Sequence, residues 1–397
     1  MNRVYLVGTA DTKGAEIGYL HGLLAPFVPA LVRVDLGSGP PACHMDLTAS
    51  QIAANHPDGP GFLTSGDRGI HTAGMGVAFA AHCGAHAGQI DGIIGIGGGG
   101  GTAMVTAGMR ELPLGMPKVM VSTLAYGDVA PYVDISDIIM VPSVTDIAGL
   151  NRISRVILHN AAQAFRGMLA LRPAIAETDK PALGLTMFGV TTPAVTAIAA
   201  ALRDRFDPLI FHATGTGGRS MEALAAQGLL AGLVDITTTE IADLLCGGVL
   251  AARPTRLDVV AQLRLPYVGS LGALDMVNFW APATVPPRHA DRLFYYHNAN
   301  VTLMRTTPAE CAMIGRWIGA KLNACDGPVR ILVPQGGLSA LDTAGGPFHD
   351  PAANAALIDS LTATMVQTNS RRLTLVPHHI NDPGFAAAAT AAVHDIL

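Results

Sequence analysis

Charged residues are scarce in this chain of 397 amino acids. They make up 14% of the sequence, whereas a typical soluble domain contains about 25%. This deficit predicts that much surface is covered, as in a parallel sheet with helices on both faces or in an oligomer interface. The net charge of −5 argues against a nucleic-acid partner, which would require a basic patch or stripe.

Paired cysteines and long apolar runs are missing as well. The five cysteines are odd in number and form no C-x-x-C motif, so they are typical of reduced thiols and indicate no zinc site. No run approaches the roughly 18 uninterrupted apolar residues that a membrane helix needs, and the first residues resemble a strand rather than a signal peptide. These absences predict a cytoplasmic protein with neither a membrane nor a nucleic-acid partner.

What the sequence does contain is a regular alternation of short apolar runs and helical patterns. The apolar runs are continuous rather than alternating, which is typical of strands that are buried on both faces of a parallel sheet. In the first half, strands are predicted at residues 4–7, 30–34, 92–96, 118–122 and 137–141, and a long helix is predicted at about 143–170.

The alternation restarts after a segment rich in proline and charge at residues 171–181, which is typical of a domain boundary. Strands are predicted there at 182–187, 208–213, 233–237, 267–270, 329–334 and 372–377, and a final helix at 384–396. We therefore predict an α/β protein of two Rossmann-like domains, residues 1–178 and 179–397, each a mostly parallel sheet with helices on both faces. Ligands are expected at the carboxyl ends of the strands and in a cleft between the domains.

The turn after the first strand contains Gly8, Thr9, Asp11, Thr12 and Lys13. It brings backbone N–H groups, a helix N-terminus and one cation to a place where a phosphate could bind. Taken alone, Lys13 is equally consistent with a solvated helix residue. Asp11 is consistent with a helix N-cap or with a magnesium ligand.

Two further features of the first half agree with a phosphorylated ligand. Asp35 ends the second strand, where a carboxylate can accept hydrogen bonds from a ribose hydroxyl. The five glycines at 97–101, followed by Thr102, let the backbone approach an anion closely. The sequence has neither a Walker A motif nor G-x-G-x-x-G, and glycines that merely pack strand against helix are the alternative. Together the features favour a mononucleotide or another phosphorylated ligand.

Two charged residues of the first half keep alternatives open. Arg68 belongs to a predicted loop, where it forms an ion pair within a turn or binds a phosphate. Asp146 is predicted in the first turn of the long helix, where stabilisation of the helix dipole is favoured over metal ligation.

The densest motif of the second half covers residues 211–222, where a strand ends on a Gly/Thr turn and a helix follows. Arg219 offers a bidentate fork for a carboxylate or phosphate. His212 is either an acid–base group or a buried core histidine, and Glu222 lies one helical turn after Arg219 and is expected to pair with it. The predicted substrate contacts are His212, Thr216, Gly217, Gly218, Arg219 and Asn278.

Three candidates for proton transfer follow other strands of the second half: Glu240, Asp275 and His379. Carboxylates and imidazoles at several strand ends are typical of an α/β active site, but loops over any parallel sheet also collect them. Metal ligation has no diagnostic spacing here, so no metal ligands are assigned.

Several long motifs resemble one family. They include residues 8–14, 95–102, 144–151, 186–193, 211–222 and 272–279. The chain is similar over essentially its whole length to the largely uncharacterised bacterial, fungal and plant family related to the N-terminal domain of the plant tobamovirus-resistance protein, the Tm-one-like ATP-binding domain family.

The resemblance implies two Rossmann-like domains, a homodimer, and binding of ATP with Mg²⁺. Carried over by motif, the nucleotide contacts fall among Gly8, Thr9, Asp11, Thr12, Lys13, Gly97, Gly98, Gly100, Gly101 and Thr102. One departure is that the family usually has serine where this sequence has Gly99, and the missing hydroxyl is expected to weaken or alter phosphate recognition.

Three functional hypotheses follow. The first is a metabolic enzyme that uses ATP or is regulated by it and acts on a small anionic substrate held by Arg219 in the cleft. The second is a nucleotide-gated module that binds a protein partner without turnover. The third is a metal-assisted lyase or hydrolase that does not consume ATP.

Overall fold

The computed structural model describes residues 2–171 and 180–397. Within it the chain forms two compact units, Met1–Ile175 and Ala176–Leu397. The predicted boundary after residue 178 falls outside the described residues, so its position stays a prediction.

The first unit is built on one parallel sheet of five strands. Its strands are β1 (Arg3–Gly8), β2 (Leu31–Asp35), β3 (Ile90–Gly97), β4 (Lys118–Ser122) and β5 (Ile139–Pro142). They lie in the order β2-β1-β3-β4-β5, and every neighbouring pair is parallel. The order reverses between β1 and β3, so this is the switch point where ligands of doubly wound folds bind.

Helices cover both faces of this sheet. They are α1 (Ala10–Leu24), α2 (Ala49–Ala53), α3 (Arg68–His86), α4 (Gly99–Arg110), α5 (Ala130–Val133) and α6 (Arg152–Ala170). Side chains of β1 alternate between two hydrophobic cores: Tyr5 packs with residues of α3 and α4, and Leu6 packs with residues of α1 and α6. The predicted α/β class with helices on both faces is therefore confirmed for this unit.

One helix boundary of the first unit was predicted wrongly. The helix expected from about residue 143 begins only at Arg152. The side chain of Asn151 accepts hydrogen bonds from the backbone N–H groups of Ile153 and Ser154, both at 2.9 Å, so it caps the helix at that point. Residues 143–151 form a loop instead, and Val144 has a positive φ of 64°, which no helix accommodates.

The second unit repeats the same winding with one more strand. Its strands are β6 (Ala182–Met187), β7 (Asp207–His212), β8 (Gly232–Thr237), β9 (Tyr267–Gly272), β10 (Met276–Phe279), β11 (Phe294–Asn298), β12 (Val301–Arg305), β13 (Val329–Pro334) and β14 (Arg371–Val376). The large sheet has the order β14-β13-β9-β8-β6-β7 and is parallel throughout. Its winding reverses between β6 and β8, as it does between β1 and β3 of the first unit.

Helices cover both faces of the large sheet too. They are α7 (Thr192–Leu202), α8 (Thr216–Ala226), α9 (Thr239–Cys246), α10 (Asp258–Leu263), α11 (Pro308–Asn323), α12 (Pro351–Thr364) and α13 (Pro383–Ile396). Helices α7 and α13 pack on one face, and α8 to α12 contribute to the core on the other face.

A small antiparallel sheet in the second unit was not predicted. It has the order β10-β12-β11 and is inserted in the chain between β9 and β13 of the large sheet. Its strands are four or five residues long, and β11 is largely exposed. Polar residues interrupt or end each of these short strands, so none has the continuous apolar run that located the parallel strands.

Within residues 2–171 and 180–397, none of the helices combines the length and the apolar character that a bilayer crossing requires.

Candidate functional site

The first unit has a cavity of about 480 Å³ at the carboxyl ends of β1 and β3. Helix α1 begins two residues after the end of β1, and α4 begins two residues after the end of β3. The N-termini of both helices therefore lie at the switch point, where their unpaired backbone N–H groups and the helix dipoles favour binding of an anion. Seven predicted nucleotide contacts line this cavity: Thr9, Asp11, Thr12, Lys13, Gly98, Gly100 and Gly101.

The turn into α1 is held by its own side chains. Thr9 is the N-cap residue, and its hydroxyl lies 2.8 Å from that of Thr12. The Asp11 carboxylate accepts hydrogen bonds from the backbone N–H groups of Ser38 and Gly39, at 3.2 and 3.0 Å. It thereby anchors the loop after β2 beside the cavity. The other oxygen of Asp11, Oδ1, is buried and has no hydrogen-bond partner within the described chain.

Lys13 and Glu16 tie the loop 143–151 to α1. The Lys13 ammonium donates a hydrogen bond to the backbone carbonyl of Ile147, and the buried Glu16 carboxylate accepts one from the N–H of Gly149 at 2.7 Å. As a result Asp146 lies in this loop, exposed, at the cavity wall. The prediction that Asp146 stabilises a helix dipole is wrong, because the helix begins six residues later.

The first glycine of the loop, Gly97, is packed so closely that a larger residue would not fit. A Cβ atom on Gly97 would lie 2.8 Å from the carbonyl carbon of Gly101 and 2.8 Å from the nitrogen of Thr102. The Thr102 side chain is buried and its hydroxyl lies 2.7 Å from the Ser122 hydroxyl at the end of β4. Gly97 and Thr102 therefore shape the loop from behind, and Gly98 to Gly101 face the cavity.

Asp35 lies beneath the cavity rather than in its wall. Its carboxylate is buried and accepts hydrogen bonds from the N–H groups of Ala10 and Gly37, at 2.9 and 2.8 Å. Burial raises the pKa of Asp35 above its ordinary value. These bonds connect the end of β2 with the start of α1, and the structure does not bring Asp35 to a position facing a ribose. Gly8, which ends β1, also lies behind the cavity wall.

Helix α3 adds residues that the motifs did not identify as a group: Arg68, His71 and Thr72. Arg68 is exposed at the first position of α3, after the N-cap Asp67. His71 is nearly buried, and its Nε2 lies 3.2 Å from the carbonyl oxygen of Leu36. Of the two alternatives for Arg68, its position at the cavity favours phosphate binding. The sequence signal was weak because the arginine lies some thirty residues before the glycine loop.

The second unit has a larger and more apolar cavity, of about 620 Å³. It lies at the carboxyl ends of β6 and β7 and is lined by three predicted substrate contacts, His212, Thr216 and Asn278. Its apolar wall includes Phe188, Val190, Leu250, Phe279 and Leu303. Among the described residues that line it, none is lysine or arginine.

The other predicted substrate contacts lie outside this wall. A Cβ atom on Gly217 would approach the carbonyl oxygen of His212 to 1.8 Å, and one on Gly218 would approach Oε1 of Glu240 to the same distance. These glycines are therefore required for close packing of the turn. The Arg219 side chain donates from Nε to the carbonyl oxygen of Gly215 at 3.2 Å, and it does not line the cavity.

Glu240 belongs to a buried ion-pair network. Its Oε1 accepts a hydrogen bond from Nε of Arg256 at 2.6 Å, and its Oε2 accepts one from the N–H of Gly215 at 2.8 Å. Arg256 also pairs with Asp235 and with Glu222, so Glu222 has a partner other than the expected Arg219. Because both oxygens of Glu240 are occupied and the residue is fully buried, its position supports a structural role.

Asp275 and His379 both contact Ser339. Oδ2 of Asp275 accepts a hydrogen bond from the Ser339 hydroxyl at 2.7 Å, and Nε2 of His379 lies 2.9 Å from the Ser339 carbonyl oxygen. Burial, and then the nearby Asp342, raise the pKa of Asp275 to about 7. The structure therefore brings two predicted acid–base residues together, but neither is part of the wall of the apolar cavity.

Comparison with known sequences identifies the family of this chain. Two family models match the chain: the N-terminal domain of the uncharacterised protein family UPF0261 over residues 2–174, and its C-terminal domain over residues 180–397. This chain belongs to the UPF0261 family. A UPF0261 protein of Rhizobium meliloti is 60% identical over 397 residues, which cover 100% of this chain and 99% of the relative.

The UPF0261 relatives extend to a plant protein. The ToMV resistance protein Tm-1(GCR237) of Solanum lycopersicum is 38% identical over 411 residues, which cover 97% of this chain and 54% of the tomato protein. This finding confirms the predicted relationship to the tobamovirus-resistance protein. Among solved structures, a UDP-N-acetylglucosamine 2-epimerase from Rickettsia bellii matches 100% of this chain and 96% of its own with a TM-score of 0.22 and 9% identity, which is too distant to carry an argument.

The first cavity of this UPF0261 protein combines positively and negatively charged groups. Two helix N-termini and the exposed Arg68 supply positive potential. The carboxylates of Asp11 and Asp146 lie in the same wall. Within the described residues no group of three histidine, cysteine or carboxylate side chains is placed to hold a metal. Mg²⁺ characteristically binds one or two carboxylates and completes its shell with phosphate oxygens and water, so this donor set fits a metal that arrives with a phosphate ligand.

Proposed function

We propose that the first unit binds ATP together with Mg²⁺ at the switch point between β1 and β3. The observation that carries the proposal is the convergence of two helix N-termini, α1 and α4, on one cavity of about 480 Å³. Ligand cavities commonly measure about 300–1,000 Å³, so a mononucleotide is of suitable size. ATP is the nucleotide that the family resemblance implies.

The phosphates would lie against the glycine loop. Gly98 to Gly101 have no side chains, so a phosphate can approach the first backbone N–H groups of α4 directly. The exposed guanidinium of Arg68 would complete the anion site from the side of α3. Lys13 contributes positive charge, although its ammonium also holds the loop 143–151 through Ile147.

Mg²⁺ would be held by the phosphates and by carboxylates of the wall. Oδ1 of Asp11 is buried without a partner in the described chain, and a buried oxygen of this kind is costly unless something binds it. Asp146 is exposed nearby in the same wall. When bound, the metal would neutralise phosphate charge. The residues of this chain would position the triphosphate and orient the ion.

The geometry favours a binding function over proton transfer by the residues that the sequence suggested. Glu240 is occupied by Arg256 and Gly215, and Asp275 and His379 face Ser339. Nothing in these contacts supports a small anionic substrate held by Arg219. We therefore propose nucleotide binding as the primary function. Hydrolysis of the bound ATP is tested separately, by phosphate release.

Isothermal titration calorimetry of the whole chain with ATP and MgCl₂ tests the proposal. We expect saturable binding that weakens about tenfold in Arg68→Ala, since a charge-assisted hydrogen bond contributes roughly 1.5–3 kcal/mol. Asp146→Asn should weaken binding when Mg²⁺ is present but leave binding in EDTA unchanged. The matched control is Arg155→Ala, because Arg155 is exposed on α6 and does not line the cavity.

Two outcomes would contradict the proposal: no heat of binding at millimolar ATP and Mg²⁺, or equal losses in Arg68→Ala and Arg155→Ala. Phosphate release measured in the same solutions separates binding alone from hydrolysis. Lys13 is a poor test residue, because removing its ammonium would also release the loop 143–151.

A further inference from the structure

The apolar cavity of the second unit contains one polar atom whose hydrogen bond is missing. Asn278, on β10, lines the cavity and is 1% exposed. Its Oδ1 is buried and accepts no hydrogen bond within the described residues. Most buried polar side-chain atoms in proteins have a partner, so this oxygen marks a position where a donor is expected.

The orientation of the Asn278 amide is determined by its other contacts. Its Nδ2 donates to Oδ1 of Asp243 at 3.1 Å and to Oγ1 of Thr239 at 3.2 Å. Oδ1 of Asp243 is the acceptor in both of its contacts with Asn278, so turning the amide over would place two oxygens against each other. The backbone N–H of Asn278 also donates to Oδ1 of Asp243, at 2.8 Å. The amide nitrogen is therefore occupied, and Oδ1 is the atom of this lining side chain that has no partner among the described residues.

The rest of the wall indicates the chemistry of that ligand. The rings of Phe188, Phe279 and Trp280 line the cavity together with aliphatic side chains such as Val301 and Leu303. Aromatic walls of this kind bind flat apolar groups through ring contacts. The other polar lining residues are His212, Thr214, Thr216, His297 and Asn298, and no lysine or arginine is among the described lining residues. An anionic ligand would therefore lose its hydration without gaining a permanently charged partner.

We propose that this cavity is a second ligand site, which takes a small uncharged aromatic molecule whose N–H or O–H group donates a hydrogen bond to Oδ1 of Asn278. The volume of about 620 Å³ lies within the range of small-molecule sites. The position at the carboxyl ends of β6 and β7 is where doubly wound sheets bind ligands. The site belongs to the second unit alone and does not depend on nucleotide binding by the first.

A pair of matched probes tests the hydrogen bond. Indole and 1-methylindole have the same aromatic body, but only indole has an N–H donor. We expect saturation-transfer NMR on the whole chain to give about tenfold tighter binding of indole, the difference that one hydrogen bond to a buried acceptor typically makes. In Asn278→Ala the two probes should bind equally. Benzamide and phenol extend the test to other donors.

A second variant blocks the cavity without touching the Asn278 network. Gly189 lines the cavity, and a Cβ atom on it would meet nothing within 4 Å. Gly189→Phe is therefore expected to fold normally and to abolish binding of indole. The control is Gly88→Phe in the first unit, where a Cβ atom would also meet nothing within 4 Å, and there binding should be unchanged.

The proposal is overturned if indole and 1-methylindole bind the unaltered protein equally, since Oδ1 would then be satisfied by water. It is also overturned if indole, benzamide and phenol all fail to bind at millimolar concentration, or if Gly189→Phe leaves their binding unchanged. Calorimetry with ATP is independent of these results, so failure here and failure of the nucleotide site are distinguishable.

Discussion

Arg256 donates a hydrogen bond from Nε to Oε1 of Glu240 at 2.6 Å, and both side chains are almost completely buried. The same guanidinium pairs with Asp235 at 2.7 Å and with Glu222 at 2.9 Å. Three carboxylates and one arginine therefore share a single buried network. Glu240 also accepts a hydrogen bond from the backbone N–H of Gly215. The network therefore holds in place the turn that leads into α8, beside the apolar cavity.

Loss of the arginine should destabilise the second unit strongly. Arg256→Met would leave the carboxylates of Asp235 and Glu240 buried without their counter-charge, which typically costs about 3–5 kcal/mol. The two tryptophans, Trp280 and Trp317, both lie in the second unit, so urea denaturation followed by tryptophan fluorescence reports on that unit. The control Arg316→Met, at an exposed position of α11, should change the unfolding free energy by about 0.5 kcal/mol or less. Similar midpoints for the two variants would contradict a stabilising network.

The glycine at position 217 should not tolerate even one methyl group. In Gly217→Ala the Cβ atom would lie 1.8 Å from the carbonyl oxygen of His212, so the backbone of the turn must move. We expect a loss of about 2 kcal/mol or more in the same fluorescence experiment. Gly189→Ala is the matched control, because its Cβ atom meets nothing within 4 Å. The steric argument fails if the two variants are equally stable.

Replacing Gly99 by serine, the residue that the family resemblance implies at this position, should strengthen the proposed nucleotide binding. A Cβ atom on Gly99 would meet only Leu124, at 3.5 Å, which is an ordinary contact, so Gly99→Ser is expected to fold. Its hydroxyl would add one hydrogen bond to a phosphate, and we expect about fivefold tighter ATP binding, or ~1 kcal/mol. Gly99→Ala fills the same space without a hydroxyl and should show no gain. Equal affinities of the serine and alanine variants, measured by calorimetry, would refute the role of the hydroxyl.

The stability of the second unit should depend on pH through Asp275. Burial and Asp342 raise the pKa of Asp275 in the folded chain to about 7 from its ordinary value of 3.8, so the folded state holds a proton that the unfolded state releases. The stabilisation is complete below the unfolded pKa and is lost as the pH rises through about 7. The groups around the carboxyl are the Ser339 hydroxyl, Asp342 and Arg305.

The measurement is the urea midpoint between about pH 5 and about pH 8. Asp275→Asn carries no titrating proton, so its stability should fall less over this range than that of the unaltered chain. Asp359→Asn, at an exposed position of α12, should keep the original slope. If Asp275→Asn also kept that slope, the raised pKa of Asp275 would be contradicted.

Most of the secondary structure was predictable because it depends on local pattern. The continuous apolar runs located all eleven strands of the two parallel sheets, and three of those predicted ranges, 118–122, 182–187 and 329–334, coincide with the observed strands. The start of α6 was predicted too early, because the helix begins only at Arg152, where the side chain of Asn151 caps it. The small sheet β10-β12-β11 was missed because its strands are short and polar residues interrupt their apolar runs, as Asn278 does in β10 and Thr302 does in β12.

The candidate sites were predictable only in part. Thr9, Lys13 and Gly98, which belong to glycine turns after strands, line the first cavity, and their role as nucleotide contacts stays a prediction. The direction in which a side chain points could not be predicted from the sequence. Asp35 turns under the loop to bind Ala10 and Gly37, and Glu240 turns inward to Arg256.

By itself, the sequence determined the family, the α/β class and the strand ends at which ligands are expected, because each of these depends on residue type and spacing along the chain. The tertiary structure alone decided which polar residues face a cavity and which form buried hydrogen bonds and ion pairs within the protein. Arg256 lies 16 residues after Glu240 and 21 after Asp235, and only packing in a water-free interior brings their charges together. The same packing leaves Oδ1 of Asn278 without a partner among the described residues, whereas its amide nitrogen is held by Asp243 and Thr239.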